Sequence, residues 1–250
     1  MTPPLQARRI LVTGGATGIG AAAVQVLSEA GAAVVATYHR TPPSQHGVTW
    51  VQCDVRDSAA VDEMVRGAAE KLGGLDVLLH AAGLWQAGIP GQITDEDIDF
   101  LIDTNLKATI FTNQAAYAVM RKDGGGRIIN FGSAEAVMGS PISALYATTK
   151  GAVQAWTRSA AKAWGAEKVS VIALAPAVKT PGADRLRDFL GPEASEFIDE
   201  QIKATIPLGG ALGDPVNDLG PTLVFLCSEG SRFITGQLIA VDGGLMMLGA

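Results

Sequence analysis

The chain has 250 residues, of which 48% are hydrophobic and 18% charged, a balance typical of a well-filled globular core. A formal net charge of −6 provides no basic surface for a phosphate backbone, which argues against nucleic-acid binding. Two cysteines, Cys53 and Cys227, are too few for a disulfide framework and have no metal-ligand spacing, so we expect no metal. Without an apolar run long enough for a signal peptide or membrane span, we expect a soluble cytoplasmic protein.

Short β-branched runs alternate with alanine-rich segments along the chain. Apolar runs predict strands at residues 10–13, 33–37, 49–53, 75–80, 127–131 and 169–174. Helices are predicted at 22–30, at 58–72 with Ser58 as the N-cap, and at about 143–164. A further helix is predicted to start near Thr94, where Thr94 and Asp97 form a capping box, and its successor to continue through Met120.

Continuous apolar strands separated by helices indicate a parallel sheet that is covered on both faces. With right-handed crossovers, this pattern predicts a doubly wound α/β fold in a single domain. Residues 180–207 interrupt the rhythm with prolines and glycines around short helical pieces. We therefore predict a substrate loop at about residues 179–212.

A glycine cluster, Gly14-x-x-x-Gly18-x-Gly20, follows the first strand and opens the next helix. Glycines at such a turn let the backbone approach a pyrophosphate, and the helix N-terminus supplies amide donors to it. Because the glycine cluster lies between a strand and a helix, a dinucleotide-binding site is favoured over an ordinary structural turn.

With this glycine spacing, the chain resembles the short-chain dehydrogenase/reductase family. Further motifs follow in the family's order: Asp54-Val55, His80-Ala81-Ala82-Gly83, Asn105, Ser133, Tyr146, Lys150, Pro176 to Thr180, and residues 233–244. The resemblance covers nearly the whole chain and implies a Rossmann fold and a nicotinamide cofactor. It implies cofactor contacts at Gly14, Thr17, Gly18, Ile19, Gly20, Asp54, Val55, Ala82, Gly83, Tyr146, Lys150, Pro176, Val178 and Thr180.

Three residues depart from the family's pattern. His80 and Ala81 stand where the family has two asparagines, and Ala177 replaces a glycine. At the end of a buried strand, we interpret His80 as a hydrogen-bonded structural residue rather than a titrating group.

The end of the second predicted strand bears on the choice of cofactor. An acidic residue there would bind the ribose hydroxyls of NAD and repel a 2′-phosphate, but this chain has none. Arg40, His39 and Thr37 are candidate partners for that phosphate, and a solvated loop edge is the alternative interpretation for His39 and Arg40. We predict NADP(H), with NAD(H) as the alternative.

Tyr146 and Lys150 are four residues apart in a predicted helix and so share one face. An ammonium group beside the phenol is expected to lower the tyrosine pKa toward the working range of an acid/base group. Ser133 follows a strand at the carboxyl edge, where its hydroxyl can hold the substrate oxygen. By resemblance, Lys150 also binds the nicotinamide ribose and Asn105 helps to hold a relay water; a helix-shaping hydrogen bond is the alternative for Asn105.

Predicted substrate contacts are Trp85, Glu135 and Met138, together with the 179–212 loop. Their mostly apolar character favours an uncharged small-molecule ketone or secondary alcohol, although Glu135 complicates that interpretation. The alternatives are a 3-oxoacyl-[acyl-carrier-protein] reductase, an NAD-dependent alcohol dehydrogenase and a non-catalytic dinucleotide-binding protein. The resemblance also implies a homotetramer.

Overall fold

The computed structural model describes residues 4–40, 43 and 47–247. Its sheet has seven parallel strands in the order β3-β2-β1-β4-β5-β6-β7. The strands are β1 Arg9–Thr13, β2 Ala33–Tyr38, β3 Thr49–Gln52, β4 Val77–His80, β5 Gly126–Phe131, β6 Val169–Pro176 and β7 Leu238–Val241. The predicted single doubly wound α/β domain is confirmed.

Eight α-helices lie within the described residues. They are α1 Gly18–Glu29, α2 Ser58–Leu72, α3 Asp95–Leu101, α4 Ala108–Met120, α5 Glu135–Met138, α6 Ala144–Trp164, α7 Pro181–Thr205 and α8 Gly220–Cys227. None of the helices in this part of the chain is long and apolar enough to cross a membrane.

Alternate residues of β1 point to opposite faces of the sheet, each with its own hydrophobic core. Ile10 and Val12 belong to the core that includes side chains of α1 and α8. Leu11 belongs to the other core, which contains side chains of α2, α4 and α6. This two-sided burial explains why the strands read as continuous apolar runs.

Several helix boundaries differ from the sequence predictions. Helix α1 begins at Gly18, directly in the glycine turn, rather than at residue 22. Asp57, not Ser58, is the N-cap of α2, because its carboxylate accepts hydrogen bonds from Ala59 N and Ala60 N. The predicted Thr94/Asp97 capping box is confirmed at the start of α3.

The segment between α3 and α4 is a π-helical turn, Ile102–Lys107, which contains Asn105. A single π turn inserted between two α-helices is often found at a functional site, because it redirects the side chains on the turn. The sequence predicted a helix starting near Thr94 and a successor helix continuing through Met120, but not the π-helical turn between them.

The predicted substrate loop contains more helix than expected. Helix α7 fills most of it and is interrupted at Gly191, whose φ of 75° is not helical. The two ends of the loop lie close together, since Lys179 N donates to Gly213 O at 2.9 Å and Gly213 N donates to Ala177 O at 3.0 Å. The excursion therefore leaves the sheet and returns to it at one place.

Candidate active site

The glycine turn leaves a tight cradle between β1 and α1. A Cβ on Gly20 would lie 2.1 Å from Gly14 O, so no larger residue fits there without rearrangement. The Thr17 side chain makes no capping hydrogen bond, and the first turn of α1 contains no acidic residue. Free first-turn amides beside a backbone that can be closely approached fit the pyrophosphate of a dinucleotide.

The Thr37 side chain is directed into the protein. It is 1% exposed, and its Oγ1 accepts a hydrogen bond from Gly14 N at 3.1 Å. The Thr37 hydroxyl thus supports the glycine turn, and its contact with a 2′-phosphate stays a prediction. His39 and Arg40, by contrast, are exposed beyond the end of β2.

Asp54, expected from the resemblance at the adenine, forms a two-pronged ion pair with Arg56. Arg56 Nη2 lies 2.6 Å and Nε 2.9 Å from its carboxylate oxygens, and His39 Nε2 approaches to 3.5 Å. The Arg56 hydrogen bond is the main cause that lowers the pKa of Asp54 to about 2. Val55 beside it packs against the hydrophobic core.

Asn105 and Lys150 approach the backbone just after β4. A Cβ on Gly83 would lie 3.1 Å from Asn105 Oδ1 and 3.5 Å from Lys150 Nζ. The glycine thus makes room for both polar groups. Ala82 precedes it, and Ala82 N donates to Thr13 Oγ1 at 3.2 Å, which ties this segment to the end of β1.

Lys150 connects α6 to the end of β5. It is 8% exposed, and its Nζ donates to Phe131 O at 3.0 Å and lies 5.8 Å from the centre of the Tyr146 ring. Burial lowers the pKa of Lys150 to about 8. The lysine is therefore held beside the tyrosine, as the i, i+4 spacing predicts.

The electrostatics of Tyr146 differ from the prediction. Burial raises the pKa of its phenol above the ordinary value, and the negative charge of Glu135 raises it further. Hydrogen bonding by Ser133 and the positive charge of Arg185 lower it, but by less. Burial therefore outweighs the groups that lower this pKa.

Ser133 and Glu135 are joined through one turn of backbone. Glu135 N donates to Ser133 Oγ at 3.2 Å, and Gln154 Nε2 donates to Ser133 O at 3.2 Å. Ser133 is the second residue after β5, so its hydroxyl lies at the carboxyl edge of the sheet with Tyr146. The structure therefore brings Ser133, Tyr146 and Lys150 together.

The predicted substrate residues have three different environments. Trp85 is 8% exposed and hydrogen-bonds to the Glu135 carboxyl group, while its main-chain oxygen accepts from Arg185 Nε at 3.1 Å. Met138, on the same helix as Glu135, is 60% exposed. Trp85 and Glu135 thus belong to one hydrogen-bonded cluster, and Met138 lies beyond it at the surface.

The segment after β6 brings α7 next to the glycine turn. Thr180 is the N-cap of α7, and its Oγ1 accepts from Ala183 N at 3.3 Å. A Cβ on Gly18 would lie 3.1 Å from Pro181 Cδ. Val178 is buried in the core, and Pro176 ends β6. The start of α7, with Thr180 as its N-cap, therefore lies beside the glycine turn.

His80 is a structural residue, as interpreted from the sequence. It is buried, and its Nδ1 lies 2.8 Å from Thr13 Oγ1 and 3.0 Å from Thr112 Oγ1. Burial lowers the pKa of His80 to about 3, so the ring is neutral at physiological pH. In this chain it joins the ends of β1 and β4 to α4.

Sequence reasoning missed several residues of the site. Arg56, two residues after Asp54, had a spacing signal that was available in the sequence. Ser143, whose hydroxyl donates to the Glu135 carboxylate, precedes α6 as a plausible cap and could have been noticed there. Leu84 gave no signal, because its contact with Asn105 joins segments that are remote in the sequence. Arg185 lies in the predicted substrate loop, but its contact with Trp85 could not be predicted for the same reason. No group of three or more metal-ligating side chains occurs within residues 4–40, 43 and 47–247.

Comparison with known proteins agrees with this geometry. A family model described as "Enoyl-(Acyl carrier protein) reductase" matches residues 14–246. The short-chain reductase protein NovJ of Streptomyces niveus is 34% identical, over 94% of this chain and 92% of its own length. The 3-oxoacyl-[acyl-carrier-protein] reductase FabG of Thermotoga maritima is 30% identical, over 97% and 99% of the two chains.

A solved structure is also similar to this chain along nearly its whole length. A chain from Sinorhizobium meliloti 1021, described as a short-chain alcohol dehydrogenase, superposes with a TM-score of 0.87. It is 32% identical and covers 98% of both chains. Fold, motif order and relatives agree, and the chain belongs to the short-chain dehydrogenase/reductase family of oxidoreductases.

Proposed function

We propose that the chain transfers a hydride between NADP(H) and a ketone or secondary alcohol, with Tyr146 as the general acid/base. The observation that carries the proposal is the meeting of Ser133, Tyr146 and Lys150 at the carboxyl end of β5. Ligands of open parallel sheets bind at this edge. The hydroxyl groups of Ser133 and Tyr146 can therefore both donate a hydrogen bond to the same carbonyl oxygen of a substrate.

Each side chain has a distinct part in this chemistry. Ser133 donates a hydrogen bond that holds the substrate oxygen, which orients the carbonyl group. Tyr146 gives a proton to that oxygen in reduction and takes it back in oxidation. Lys150, fixed by Phe131 O, keeps positive charge beside the phenol. Asn105 anchors the backbone behind this group and is proposed to help hold a relay water.

The glycine cradle, Thr180 and the segment around Gly83 fit a nicotinamide dinucleotide, which would supply or accept the hydride. Gly14, Thr17, Gly18, Ile19 and Gly20 would surround the pyrophosphate, and Asp54 with Val55 the adenine. Support for NADP(H) comes from the exposed His39 and Arg40 together with the absence of an acidic side chain at residues 37–40. NAD(H) is the alternative cofactor.

The relatives name a second candidate reaction. The FabG relative is a 3-oxoacyl-[acyl-carrier-protein] reductase, and the family description names an enoyl substrate. The exposed Phe189 and Phe197 of α7 could receive an acyl chain. We propose a small-molecule carbonyl compound as the substrate.

A cytoplasmic location and a homotetramer stay predictions. Light scattering of the purified protein tests the homotetramer.

The test is a turnover assay of the purified protein. Loss of NADPH or NADH absorbance is followed with a panel of ketones, a 3-oxoacyl thioester and an enoyl thioester. We expect ketone-dependent oxidation of NADPH and slower oxidation of NADH. Turnover of the enoyl thioester alone would contradict carbonyl reduction, and binding of cofactor without any turnover would favour the non-catalytic alternative.

A further inference from the structure

A polar cluster lies beside the proposed catalytic group and has no part in the steps described above. Its centre is the carboxyl group of Glu135, which accepts a hydrogen bond from Ser143 Oγ and bonds with Ser140 and Trp85. Ser143 and Trp85 are themselves almost fully buried. The carboxyl group is therefore held in one orientation by rigid neighbours, as a recognition group must be.

The carboxyl group retains capacity for one more hydrogen bond. An ionised carboxylate offers about four acceptor sites, and three donors face it here. Glu135 itself is only partly buried. A built, partly accessible acceptor beside Ser133 and Tyr146 is suited to a hydrogen-bond donor on a ligand.

The position of Glu135 fixes which part of a substrate it can reach. Its main-chain nitrogen donates to Ser133 Oγ at 3.2 Å, and its charge acts directly on Tyr146. A carbonyl oxygen held by Ser133 and Tyr146 would thus lie next to Glu135. A substituent on the carbon adjacent to the carbonyl is the part of the substrate best placed to meet the Glu135 carboxyl group.

The surroundings favour a neutral donor over a cationic one. Arg185 acts on Tyr146 with its positive charge, and Lys150 Nζ lies 5.8 Å from the centre of the Tyr146 ring. An ammonium group placed here would be repelled by both cations, which offsets its attraction to the Glu135 carboxylate. The exposed Val137 and Met138 on the same helix leave an apolar surface for the rest of the substrate.

Resting on the function proposed above, we propose that Glu135 recognises a hydroxyl group on the carbon adjacent to the reacting carbonyl. The preferred substrates are then α-hydroxyketones and, in oxidation, vicinal diols. Glu135 is a specificity-determining residue, because a site that bonds a substrate hydroxyl discriminates against the analogue that lacks it.

Two ketones of nearly equal shape test the proposal. In 2-hydroxyacetophenone the carbonyl carries a CH₂OH group, and in propiophenone a CH₂CH₃ group. The ratio of their kcat/KM values is measured for the wild type, Glu135→Gln, Glu135→Met and the control Glu63→Gln, an exposed glutamate of α2. The ammonium analogue 2-aminoacetophenone is the third probe.

We expect the wild type and Glu63→Gln to favour the hydroxyketone at least about tenfold. Glu135→Met should bring the ratio near one, with most of the loss in the KM of the hydroxyketone. Glu135→Gln should be intermediate, since its amide oxygen still accepts a hydrogen bond. Melting temperature and cofactor affinity verify that each variant is folded, and if Glu135→Met is not, the Glu135→Gln ratio decides.

An unchanged ratio in the folded Glu135 variants would overturn the inference while leaving the proposed function intact. A wild-type preference for propiophenone would do the same, and a preference for 2-aminoacetophenone would overturn the choice of a hydroxyl. Absence of turnover with every ketone would overturn the proposed function and the inference together.

Discussion

The side-chain amide of Asn105 bonds both main-chain polar atoms of Leu84. Leu84 N donates to Oδ1 and Nδ2 donates to Leu84 O, each at 2.9 Å. Nδ2 also lies 3.2 Å from Thr149 Oγ1. One amide thus joins the π-helical turn, the segment after β4 and helix α6. The Asn105 side chain therefore has a structural role in addition to its proposed part in holding a relay water.

Replacing Asn105 with alanine should destabilise the protein. The residue is 1% exposed, and its loss leaves the Leu84 amide and carbonyl without their partner. Buried polar groups without partners cost about 1–3 kcal/mol each, so we expect a loss of that order in the free energy of unfolding. Urea unfolding measures it, with the exposed Asn217→Ala as a control that should change little. Equal stability of the two variants would contradict the structural role.

Replacing Tyr146 with phenylalanine should remove turnover and leave cofactor binding intact. The substitution deletes only the hydroxyl that transfers the proton, and general acid/base groups contribute about 10²–10⁴-fold. Steady-state kinetics with the best ketone measures the loss, and fluorescence titration measures cofactor affinity. A variant with near-normal kcat would show that the proton comes from another group.

Replacing Glu135 with glutamine should move the pH profile toward acid. The Glu135 charge raises the pKa of Tyr146, so its removal lowers that pKa. Because alcohol oxidation needs the ionised phenol, the rising limb of kcat/KM for oxidation shifts to lower pH. The falling limb for ketone reduction shifts in the same direction. Profiles of Glu63→Gln should overlay the wild type, and a shift to higher pH in Glu135→Gln would refute the coupling.

His80 should make the protein sensitive to acid. Its pKa is lowered to about 3 in the fold, against about 6.5 in an unfolded chain. Below about pH 6.5 the unfolded state therefore binds more protons, and stability falls as the pH decreases toward 3. One such group contributes up to about 1.4 kcal/mol per pH unit. Urea unfolding at several pH values between 6.5 and 4.5 gives the free energy of unfolding as a function of pH. This free energy should fall less steeply with decreasing pH for His80→Gln than for the exposed His39→Gln. Equal slopes would contradict a lowered pKa for His80.

Arg40 should contribute to the choice of cofactor. An exposed guanidinium after β2 can pair with a 2′-phosphate, and hydrogen bonds to charged groups contribute about 1.5–3 kcal/mol. Arg40→Ser is expected to lower kcat/KM for NADPH by about tenfold or more and to spare NADH. Arg66→Ser, on the exposed side of α2, is the matched control. An equal effect on both cofactors would contradict the assignment.

Local patterns were sufficient for most of the fold. The strands β1, β2, β4, β5 and β6 could be predicted because each is a largely apolar run buried on both faces. The capping box at Thr94 could be predicted because it is a contact within one turn. The N-cap of α2 could not be predicted, because Asp57 and Ser58 are both favourable N-cap residues. Only the backbone conformation shows which of the two caps the helix. The π-helical turn leaves no periodic signal over six residues.

The spacing of the motifs was sufficient to predict which residues of the site lie close together. It was not sufficient to predict pKa values or side-chain directions, which depend on the surrounding structure. Tyr146 and Lys150 lie on one helix face, so their proximity follows from i, i+4 spacing. The pKa of Tyr146 depends on burial and on Glu135, which reaches it from another helix. Thr37 was assigned to the cofactor because its position along the strand was known, but the direction of its side chain was not.

Helix α7 has no buried residue, although it occupies most of the excursion between Lys179 and Gly213. The sheet and its two cores therefore owe almost none of their folding free energy to this segment. Its amides should exchange with solvent far faster than those of β1 or β5, through local openings that leave the rest of the protein folded. For the same reason, α7 could be replaced by a different sequence in a chimera without loss of the fold, which would make substrate range and stability separately adjustable.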